Sequence, residues 1–217
     1  MSPSPHIAIF CRPLLAGQVK TRLIPLLGER GATDVYAQLV ERTLHTVAAA
    51  QREMNASASI WVAGDAAHQS VCDWAARYAL PVYVQCEGDL GARMLQSLAT
   101  LAGSHTSVLL IGSDCPALSV ADLRAANRAL TDTCHWVFTP AEDGGYVLVG
   151  SNAPCAEPFA NIAWSSSEVM TQTRAALRAN GLAWRETATL WDVDEAADVE
   201  RARRLCLIDW SFPPAPE

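Results

Sequence analysis

Residues 6–23 read HIAIF-CRPLLAGQVKTRL, a short apolar run followed by a glycine-containing segment that carries Arg12, Lys20, Thr21 and Arg22. The apolar run is typical of a buried β-strand, and the segment after it is predicted to be the loop at the strand's carboxyl end. Loop N–H groups, a threonine hydroxyl and cationic side chains are all suited to phosphate oxygens. The stretch therefore predicts a strand and loop that bind a polyphosphate.

The positive charge of this loop contrasts with the rest of the chain. Residues 1–28 contain no Asp or Glu, whereas the whole chain of 217 residues has a formal net charge of −7. An acidic protein is poorly suited to nucleic acid or to an anionic membrane surface. We therefore expect a small anionic ligand at the loop, with no nucleic-acid partner and no membrane partner.

Length and composition predict one domain over residues 1–210, with 211–217 as a frayed tail. Half of the residues are apolar and 18% are charged, which is typical of a globular chain. No apolar run approaches the ~20 residues needed to span a bilayer, and the first residues lack the pattern of a secretion signal. Seven cysteines without a close pair argue against a disulfide framework or a structural zinc site. Together these features predict a cytoplasmic protein.

Short apolar runs alternate with segments of helical period, which predicts an α/β fold with a mainly parallel sheet. The run Val108-Leu109-Leu110-Ile111 predicts a central strand buried on both faces. The other expected strands are 6–10, 59–63, 81–85, 136–139, 146–149 and 189–191. The expected helices are 29–50, 67–78, 89–102, 119–130, 165–179 (capped by Ser165 or Ser166) and 195–207.

Asp114 lies in the segment Gly112-Ser113-Asp114-Cys115-Pro116, directly after the predicted central strand. Open α/β sheets bind ligands beyond the carboxyl ends of their strands, and a carboxylate there can hold a divalent cation. An ordinary turn or helix-capping role would explain the residue equally well by itself. The basic loop expected at the same edge favours the metal, because phosphates and Mg²⁺ bind together.

Two further acidic segments allow two interpretations each. Asp143-Gly144-Gly145 before Tyr146 is either a hairpin turn or a turn whose glycines allow close approach of a ligand. Asp192 and Asp194 would project to one face of a strand, as half of a cation site. Alternatively, one of the two caps the last helix. We expect one metal ligand, preferably Asp194, and one capping or supporting residue.

Ser165 and Ser166 precede a predicted helix, where hydroxyl groups and free N–H groups form a generic anion site. Simple helix capping explains them nearly as well. The five histidines show neither metal nor triad spacing. The sequence also contains no nucleophile-elbow, P-loop or dinucleotide-binding motif.

Five motifs occur in a fixed order: F-C-R-P-x-x-x-G-x-x-K-T-R-L, G-D-L-G-x-R-M, I-G-S-D-C-P, D-G-G-Y and D-V-D. Together they resemble a bacterial glycosyltransferase-like family of the nucleotide-diphospho-sugar transferase (GT-A) superfamily. The chain is more distantly similar to the 2-phospho-lactate guanylyltransferases and the molybdenum-cofactor guanylyltransferases. The resemblance, from about residue 6 to 205, implies an α/β/α sandwich of GT-A type. It also implies a transferase that needs Mg²⁺ (or Mn²⁺), a nucleotide donor and a small-molecule acceptor.

The resemblance also implies roles for individual residues. Nucleotide binding would involve Arg12, Gly17, Lys20, Thr21, Arg22, Gly88, Asp89 and Arg93, of which the last three would lie beside the base or ribose. Metal binding would involve Asp114 with Asp194 or Asp192. Acceptor binding would involve Asp143, Gly144, Gly145, Ser165 and Ser166. The catalytic residues would be Asp114, Lys20 and Arg22.

The sequence leaves the reaction open between two kinds of transfer. Glycosyltransferases of this fold usually show Asp-x-Asp, and Pro116 stands here where the second Asp would be. That difference slightly favours nucleotidylyl transfer over glycosyl transfer from a nucleotide sugar. A third interpretation is a nucleotide-binding protein without turnover. The acidic residues Asp114, Asp143, Asp192 and Asp194 argue against it, because a protein that only binds a nucleotide has less need of a paired metal site.

Overall fold

The computed structural model describes residues 4–209, so the predicted tail at 211–217 lies outside the described residues. The seven strands are β1 (His6–Cys11), β2 (Ser57–Val62), β3 (Val82–Val84), β4 (Val108–Ile111), β5 (Trp136–Pro140), β6 (Tyr146–Ser151) and β7 (Trp184–Glu186). The six α-helices are α1 (Ile24–Met54), α2 (Gln69–Tyr78), α3 (Leu90–Ala102), α4 (Val120–Ala129), α5 (Val169–Ala179) and α6 (Ala196–Arg204). Two short 3₁₀ helices cover Thr21–Leu23 and Glu157–Phe159.

All seven strands form one sheet in the order β3-β2-β1-β4-β6-β5-β7. The strands β1, β2, β3 and β4 pair in parallel, and β6 runs antiparallel to both of its neighbours. The carboxyl ends of β1 and β4 therefore lie side by side at one edge. This edge brings the loop after Cys11 next to the segment that follows Ile111.

Helices cover both faces of the sheet. Alternate residues of the inner strands point to opposite sides, so the strands present apolar side chains on both faces, and both are buried under helices. Ile7 and Ile9 of β1 pack in one cluster with α1, α2 and α4, whereas Ala8 packs in a second cluster with α3 and α5. A third cluster joins α6 to the start of α1. The predicted α/β/α sandwich with a mainly parallel sheet is confirmed. No helix within residues 4–209 combines the length and the apolar character needed to cross a membrane.

The predicted strand at 189–191 is wrong. Only Leu190 makes a single bridge, to Ala141, and the seventh strand is instead Trp184–Glu186, paired in parallel with β5. The ladder of β5 is irregular at Pro140, which has no N–H to donate. Strand β7 is not predicted from the sequence, because it is a short edge strand with charged residues and lacks a continuous apolar run.

Two helix starts also differ from the sequence expectation. Helix α1 begins at Ile24, earlier than expected, but Gly28 (φ 67°, ψ 169°) breaks its helical path, so that the expected helix is the part after the break. Helix α5 begins at Val169 with Glu168 at its N-cap, so neither Ser165 nor Ser166 is the N-cap. The serines instead lie in a turn before the helix, where Ser165 has a left-handed backbone (φ 64°).

Candidate nucleotide and metal site

A cleft of about 700 Å³ opens at the carboxyl ends of β1 and β4. We call it the main cleft, and the adjoining cavity of about 450 Å³ beyond β2 and β3 the side pocket. Predicted site residues that line the main cleft are Arg12, Lys20, Thr21, Arg22, Arg93, Asp114, Ser165, Asp192 and Asp194. Gly88 lines the side pocket together with Arg12 and Arg93. The strand order thus brings residues from five separate sequence segments to one edge of the sheet.

The loop after β1 is held by Tyr36, a buried tyrosine of α1. The backbone N–H of Arg12 donates to the hydroxyl of Tyr36 at 2.9 Å, and that hydroxyl also hydrogen-bonds the Ser113 hydroxyl at 3.0 Å. Tyr36 is only 5% exposed, and burial raises its pKa, so the hydroxyl stays protonated. Tyr36 therefore connects the basic loop to the residue next to Asp114. In the sequence, the signal for this role is a tyrosine hydroxyl among the apolar residues of the helix predicted at 29–50.

Three carboxylates converge on the floor of the main cleft. One oxygen from each of Asp114, Asp192 and Asp194 lies within 4.8 Å of the other two. Asp114 follows β4, and the other two belong to the segment between β7 and α6. The N–H of Val193 donates to the Asp114 carbonyl at 3.0 Å, which ties the two segments together. Both Asp192 and Asp194 thus join the cluster.

Lys20 lies within this acidic cluster. Its Nζ donates to Asp114 Oδ2 at 3.0 Å and to Asp194 Oδ1 at 2.8 Å, and its side chain is 7% exposed. Burial lowers the pKa of Lys20, but the two carboxylates outweigh burial and hold the pKa above its usual value. Arg22 makes a longer contact, 3.4 Å from Nη1 to Asp194 Oδ2, and its side chain is 65% exposed.

The acidic cluster still has excess negative charge after Lys20 is included. Burial, and then the carboxylates of Asp114, Asp143 and Asp194, raise the pKa of Asp192 to about 7, although the Lys20 charge opposes this. Close carboxylates that cannot all ionise comfortably are stabilised by a multivalent cation. Carboxylate oxygens are also the ligands that Mg²⁺ and Mn²⁺ prefer. The residues present therefore fit a divalent cation, held by Asp114, Asp192 and Asp194.

The segment that carries Asp192 and Asp194 is fixed by a clamp from α6. The Arg201 guanidinium lies 4.2 Å from the centre of the Trp191 ring, and its two terminal nitrogens donate to the Glu142 carboxylate at 2.7 and 3.0 Å. The Asp198 carboxylate accepts from the backbone N–H of Asp194 at 3.1 Å. Arg201 and Glu142 cannot be recognised as partners from the sequence, because they are 59 residues apart. The contacts show that α6 positions the acidic segment from outside the cleft.

The Asp143-Gly144-Gly145 turn lies beside the cleft and does not line it. Asp143 Oδ1 accepts from the N–H of Gly145 at 2.8 Å, and the Gly144 carbonyl accepts from Met170 N–H at 2.8 Å. A Cβ atom on Gly144, where φ is +92°, would stand 2.0 Å from the Ser167 carbonyl oxygen. Only glycine fits there, so this turn docks directly onto the segment before α5.

Of the two predicted acceptor serines, only Ser165 lines the main cleft. The Ser166 hydroxyl donates to the Ala163 carbonyl at 2.6 Å and accepts from Glu168 N–H, so it organises the turn. Tyr146, which sequence analysis assigned to a strand, also lines the cleft, and burial raises its pKa. Its hydroxyl lies 3.9 Å from the Met94 sulfur.

The segment after β3 forms the wall of the side pocket. Asp89 caps α3 by accepting from the N–H of Ala92 at 2.8 Å, and it does not line either cavity. Gln85 lines both cavities, and its Nε2 donates to the Trp61 carbonyl at 2.9 Å. Since a carbonyl only accepts, the amide nitrogen of Gln85 must face Trp61, and its oxygen Oε1 remains available to a ligand. Gly17 lies in the basic loop beside Glu29 and outside the cavity walls.

Solved structures place this architecture among transferases. A candidate nucleotide-diphospho-sugar transferase from Desulfovibrio desulfuricans G20 is 25% identical, with a TM-score of 0.81 over 93% of this chain and 87% of that one. The 4-diphosphocytidyl-2C-methyl-D-erythritol synthase of Anaerococcus prevotii shares the fold (TM-score 0.62, 12% identity, 94% and 96% covered). The glucosyl-3-phosphoglycerate synthase of Mycobacterium tuberculosis, solved with Mn²⁺ and uridine diphosphate, shares it too (0.52, 9%, 93% and 76%).

The fold is thus that of the nucleotide-diphospho-sugar transferases, a class whose solved members here include both nucleotidylyl and glycosyl transferases. Residues 46–166 match a family described as "Uncharacterized protein conserved in bacteria (DUF2064)", and the chain belongs to that family. No curated protein matches the sequence. The resemblance inferred from the five motifs is confirmed.

Proposed function

We propose that this protein is a cytoplasmic transferase that takes a nucleotide donor and a divalent cation and transfers part of the donor to a small-molecule acceptor. The observation that carries the proposal is the convergence of Asp114, Asp192 and Asp194 with the basic loop in one cleft. An acidic cluster next to cationic groups suits a metal-bound polyphosphate, and the acidic protein as a whole suits no larger polyanion.

The cationic side chains at the cleft have capacity left for phosphates. Within residues 4–209 the guanidinium of Arg12 has no partner, and Arg93 uses only its Nε, which donates to the carbonyl of Asp89, the N-cap of α3, at 3.2 Å. Guanidinium groups bind phosphate oxygens in a bidentate manner. We place the phosphates between these two residues and Lys20, with the hydroxyl of Thr21 and the Arg22 side chain at the rim.

The side pocket is suited to the base of the nucleotide. It continues from the main cleft past Arg12 and Arg93, and its wall includes Gly88 and Gln85. A base there would lie at the free end of the Gln85 amide, with its ribose and phosphates directed toward the acidic cluster. The acceptor would then enter from the opposite side, past Ser165 and the Asp143-Gly144-Gly145 turn.

A divalent cation held by the three carboxylates would neutralise charge on the phosphate oxygens. Arg12, Lys20 and Arg93 would orient the phosphates and stabilise the negative charge that grows on the leaving group. Tyr36 and Arg201 would hold the two sides of the site in register, since each connects separate chain segments. This kind of transfer depends on positioning and charge, and it needs no covalent intermediate on the protein.

Between the two reactions, we favour nucleotidylyl transfer. An acceptor oxygen would attack the α-phosphorus, the α–β phosphoanhydride bond would break, and pyrophosphate would leave. Support comes from the segment after β4, where Asp114 is followed by Cys115 and Pro116 and contributes one carboxylate to the cluster. Glycosyl transfer, with release of a nucleoside diphosphate, remains the second candidate, because the Desulfovibrio protein is described as a candidate transferase of nucleotide-diphospho-sugars.

The leaving group distinguishes the two reactions. The protein would be incubated with each nucleoside triphosphate and with a panel of nucleotide sugars, in the presence of Mg²⁺ and a pool of small acceptors. We expect acceptor-dependent release of pyrophosphate from one triphosphate. Release of nucleoside diphosphate from a sugar donor, with no pyrophosphate from any triphosphate, would establish glycosyl transfer instead. The Asp114→Asn variant is the control for contaminating activity, because it removes one metal ligand with little change of shape.

A further inference from the structure

The Lys20 ammonium occupies a position that a cation would otherwise take. Its Nζ lies 3.0 Å from an Asp114 oxygen and 2.8 Å from an Asp194 oxygen, and both residues belong to the three-carboxylate cluster. The side chain is buried, at 7% exposure, although a free lysine side chain favours solvent. The backbone of Lys20 is left-handed (φ 45°, ψ 47°), a strained conformation for a residue other than glycine. The fold therefore holds this ammonium in place at some cost.

An ammonium and a divalent cation cannot both bind these oxygens fully. Each would stand about 2–3 Å from the same carboxylates, so the two positive centres would be close neighbours in a partly buried site. Their repulsion there is stronger than in bulk water. Arg22 contrasts with Lys20, since its single contact with Asp194 is longer, at 3.4 Å, and its side chain is mostly exposed. Arg22 can move into solvent at little cost, whereas Lys20 cannot.

We propose that Lys20 is an internal substitute for the divalent cation. When the cation arrives with the nucleotide, Lys20 releases at least one of Asp114 and Asp194. The proposal rests on the proposed function of the same cleft. The phosphate oxygens of the nucleotide supply the new acceptors that the displaced ammonium needs. The cation alone offers no such acceptors, so it must compete against the ammonium. Lys20 therefore makes binding of the cation depend on the nucleotide.

The proposal predicts that replacing Lys20 by a neutral residue raises the affinity for the cation. Replacing an ordinary ligand-binding residue would lower that affinity. Mn²⁺ is the probe, titrated without nucleotide and followed by the electron paramagnetic resonance signal of the free ion. In the wild type, the charge-assisted hydrogen bonds of Lys20 to two carboxylates compete with the metal ion. Without them, Lys20→Met should bind Mn²⁺ at least about tenfold more tightly than the wild type. Nucleotide added with Mn²⁺ should bind more weakly to the variant, since one phosphate contact is missing.

Matched variants separate this effect from a general change of charge. Arg22→Met also removes one positive charge near Asp194, and it should change Mn²⁺ affinity by less than about twofold. Lys20→Gln is a second neutral variant that keeps a hydrogen-bond donor, and it should bind Mn²⁺ more tightly as Lys20→Met does. A thermal melt adds an independent readout, because Mn²⁺ should raise the melting temperature of Lys20→Met more than that of the wild type.

The inference is overturned if the two neutral Lys20 variants bind Mn²⁺ no more tightly than the wild type, or if they do not bind it at all. The proposed function is judged separately, on whether the wild type binds a nucleoside triphosphate or nucleotide sugar in the presence of Mn²⁺. Tight nucleotide binding with no gain of Mn²⁺ affinity in the variants would leave the function standing and remove the inference. Tighter Mn²⁺ binding in the variants without any nucleotide binding would remove the proposed function and the dependence on nucleotide, and would leave only the competition between Lys20 and the cation.

Discussion

The two ends of the sheet each bury ionisable groups, but only one end leaves them unsatisfied. At the amino end, His6 donates or accepts through both ring nitrogens, at 2.7 Å to the Ser57 hydroxyl and 2.7 Å to the Ser59 hydroxyl. At the carboxyl end, the buried ammonium of Lys20 contacts two of the three clustered carboxylates, those of Asp114 and Asp194. The histidine is fully partnered by the protein. The carboxylates are arranged so that a further cation would relieve them.

The pKa shifts at the two ends both favour the neutral form, but the surroundings of the two groups differ. Burial first, and the neighbouring His105 second, lower the pKa of His6 to about 4, which keeps the ring neutral near pH 7. Burial and neighbouring carboxylates raise the pKa of Asp192 to about 7. The His6 ring is stabilised in its neutral form by two serine hydroxyls, whereas Asp192 lies in a group of carboxylates whose repulsion a bound cation would relieve. This contrast separates a structural cluster from a candidate site without reference to related proteins.

The sharpest test of the contrast is removal of one carboxylate at the carboxyl end. Asp114→Asn keeps the shape of the side chain but deletes a charge that the cation needs. We expect at least about a hundredfold loss of metal-dependent nucleotide binding or turnover, in the range found when a charge-stabilising group is removed. Isothermal titration with nucleotide and Mg²⁺ measures it, and circular dichroism checks the fold. Unchanged nucleotide affinity would contradict the role of Asp114.

The two guanidinium groups with donors left for phosphate, those of Arg12 and Arg93, give the next largest effect. Arg12→Ala and Arg93→Ala should each weaken binding of a nucleoside triphosphate by about 1–3 kcal/mol, the usual range for charge-assisted hydrogen bonds. Binding of the bare nucleoside should change little. Arg128→Ala, an exposed arginine on α4, is the matched control. An equal loss for nucleoside and triphosphate would mean that these arginines shape the cleft without contacting phosphate.

The clamp from α6 should have a smaller effect, because Arg201 acts only through its neighbours. Arg201→Gln removes the contact with the Trp191 ring and the paired contact with Glu142. We expect Mn²⁺ affinity to fall by about threefold to tenfold as Asp192 and Asp194 become less ordered.

Arg203→Gln is the control for this prediction, since Arg203 forms an exposed pair with Glu200 on the same helix. Arg201→Lys should recover part of the loss, because an ammonium also binds an aromatic face. If Arg201→Gln lowered only the melting temperature and left Mn²⁺ affinity intact, the clamp would support the fold alone.

The sequence was sufficient to predict the architecture because hydrophobic periodicity reports local structure directly. The run at 108–111 became the central strand β4, and the strand at the start of the chain became β1. Edge strand β7 was missed, since Arg185 and Glu186 interrupt any apolar pattern there. The strand predicted at 189–191 failed because Leu190 makes only one bridge, beside Pro140.

The components of the site were more predictable than the contacts between them. Motifs place Asp114, Lys20 and Asp194 in the chain, and the rule that parallel sheets bind ligands at their carboxyl edge predicts that they meet. The ion pairs between Lys20 and both carboxylates are not visible in a sequence, because they depend on distances between segments 94 and 174 residues apart. The same holds for Tyr36, whose hydroxyl joins two loops from within a helix.

At the amino end of the sheet, we expect substitution of His6 to affect stability but not ligand binding. His6 has a lower pKa in the folded chain, about 4, than the usual 6.5 of an unfolded histidine. Below pH 6.5 the unfolded chain therefore binds a proton that the folded chain resists, so stability is complete above that pH and falls as the pH decreases toward 4. We expect His6 to account for about 1–3 kcal/mol of this loss, measured by urea unfolding at a series of pH values.

His6→Gln should flatten the stability profile between pH 6.5 and 4, since the amide that replaces the ring does not titrate. His45→Gln, at an exposed position on α1, should leave the profile as it is. Both variants should bind Mn²⁺ and nucleotide at pH 7.5 as the wild type does, because the hydrogen bonds of His6 all lie at the amino end of the sheet. A change of nucleotide affinity in His6→Gln would show that the two ends communicate through β1. In that case a polar cluster fully partnered within the fold would still influence the site.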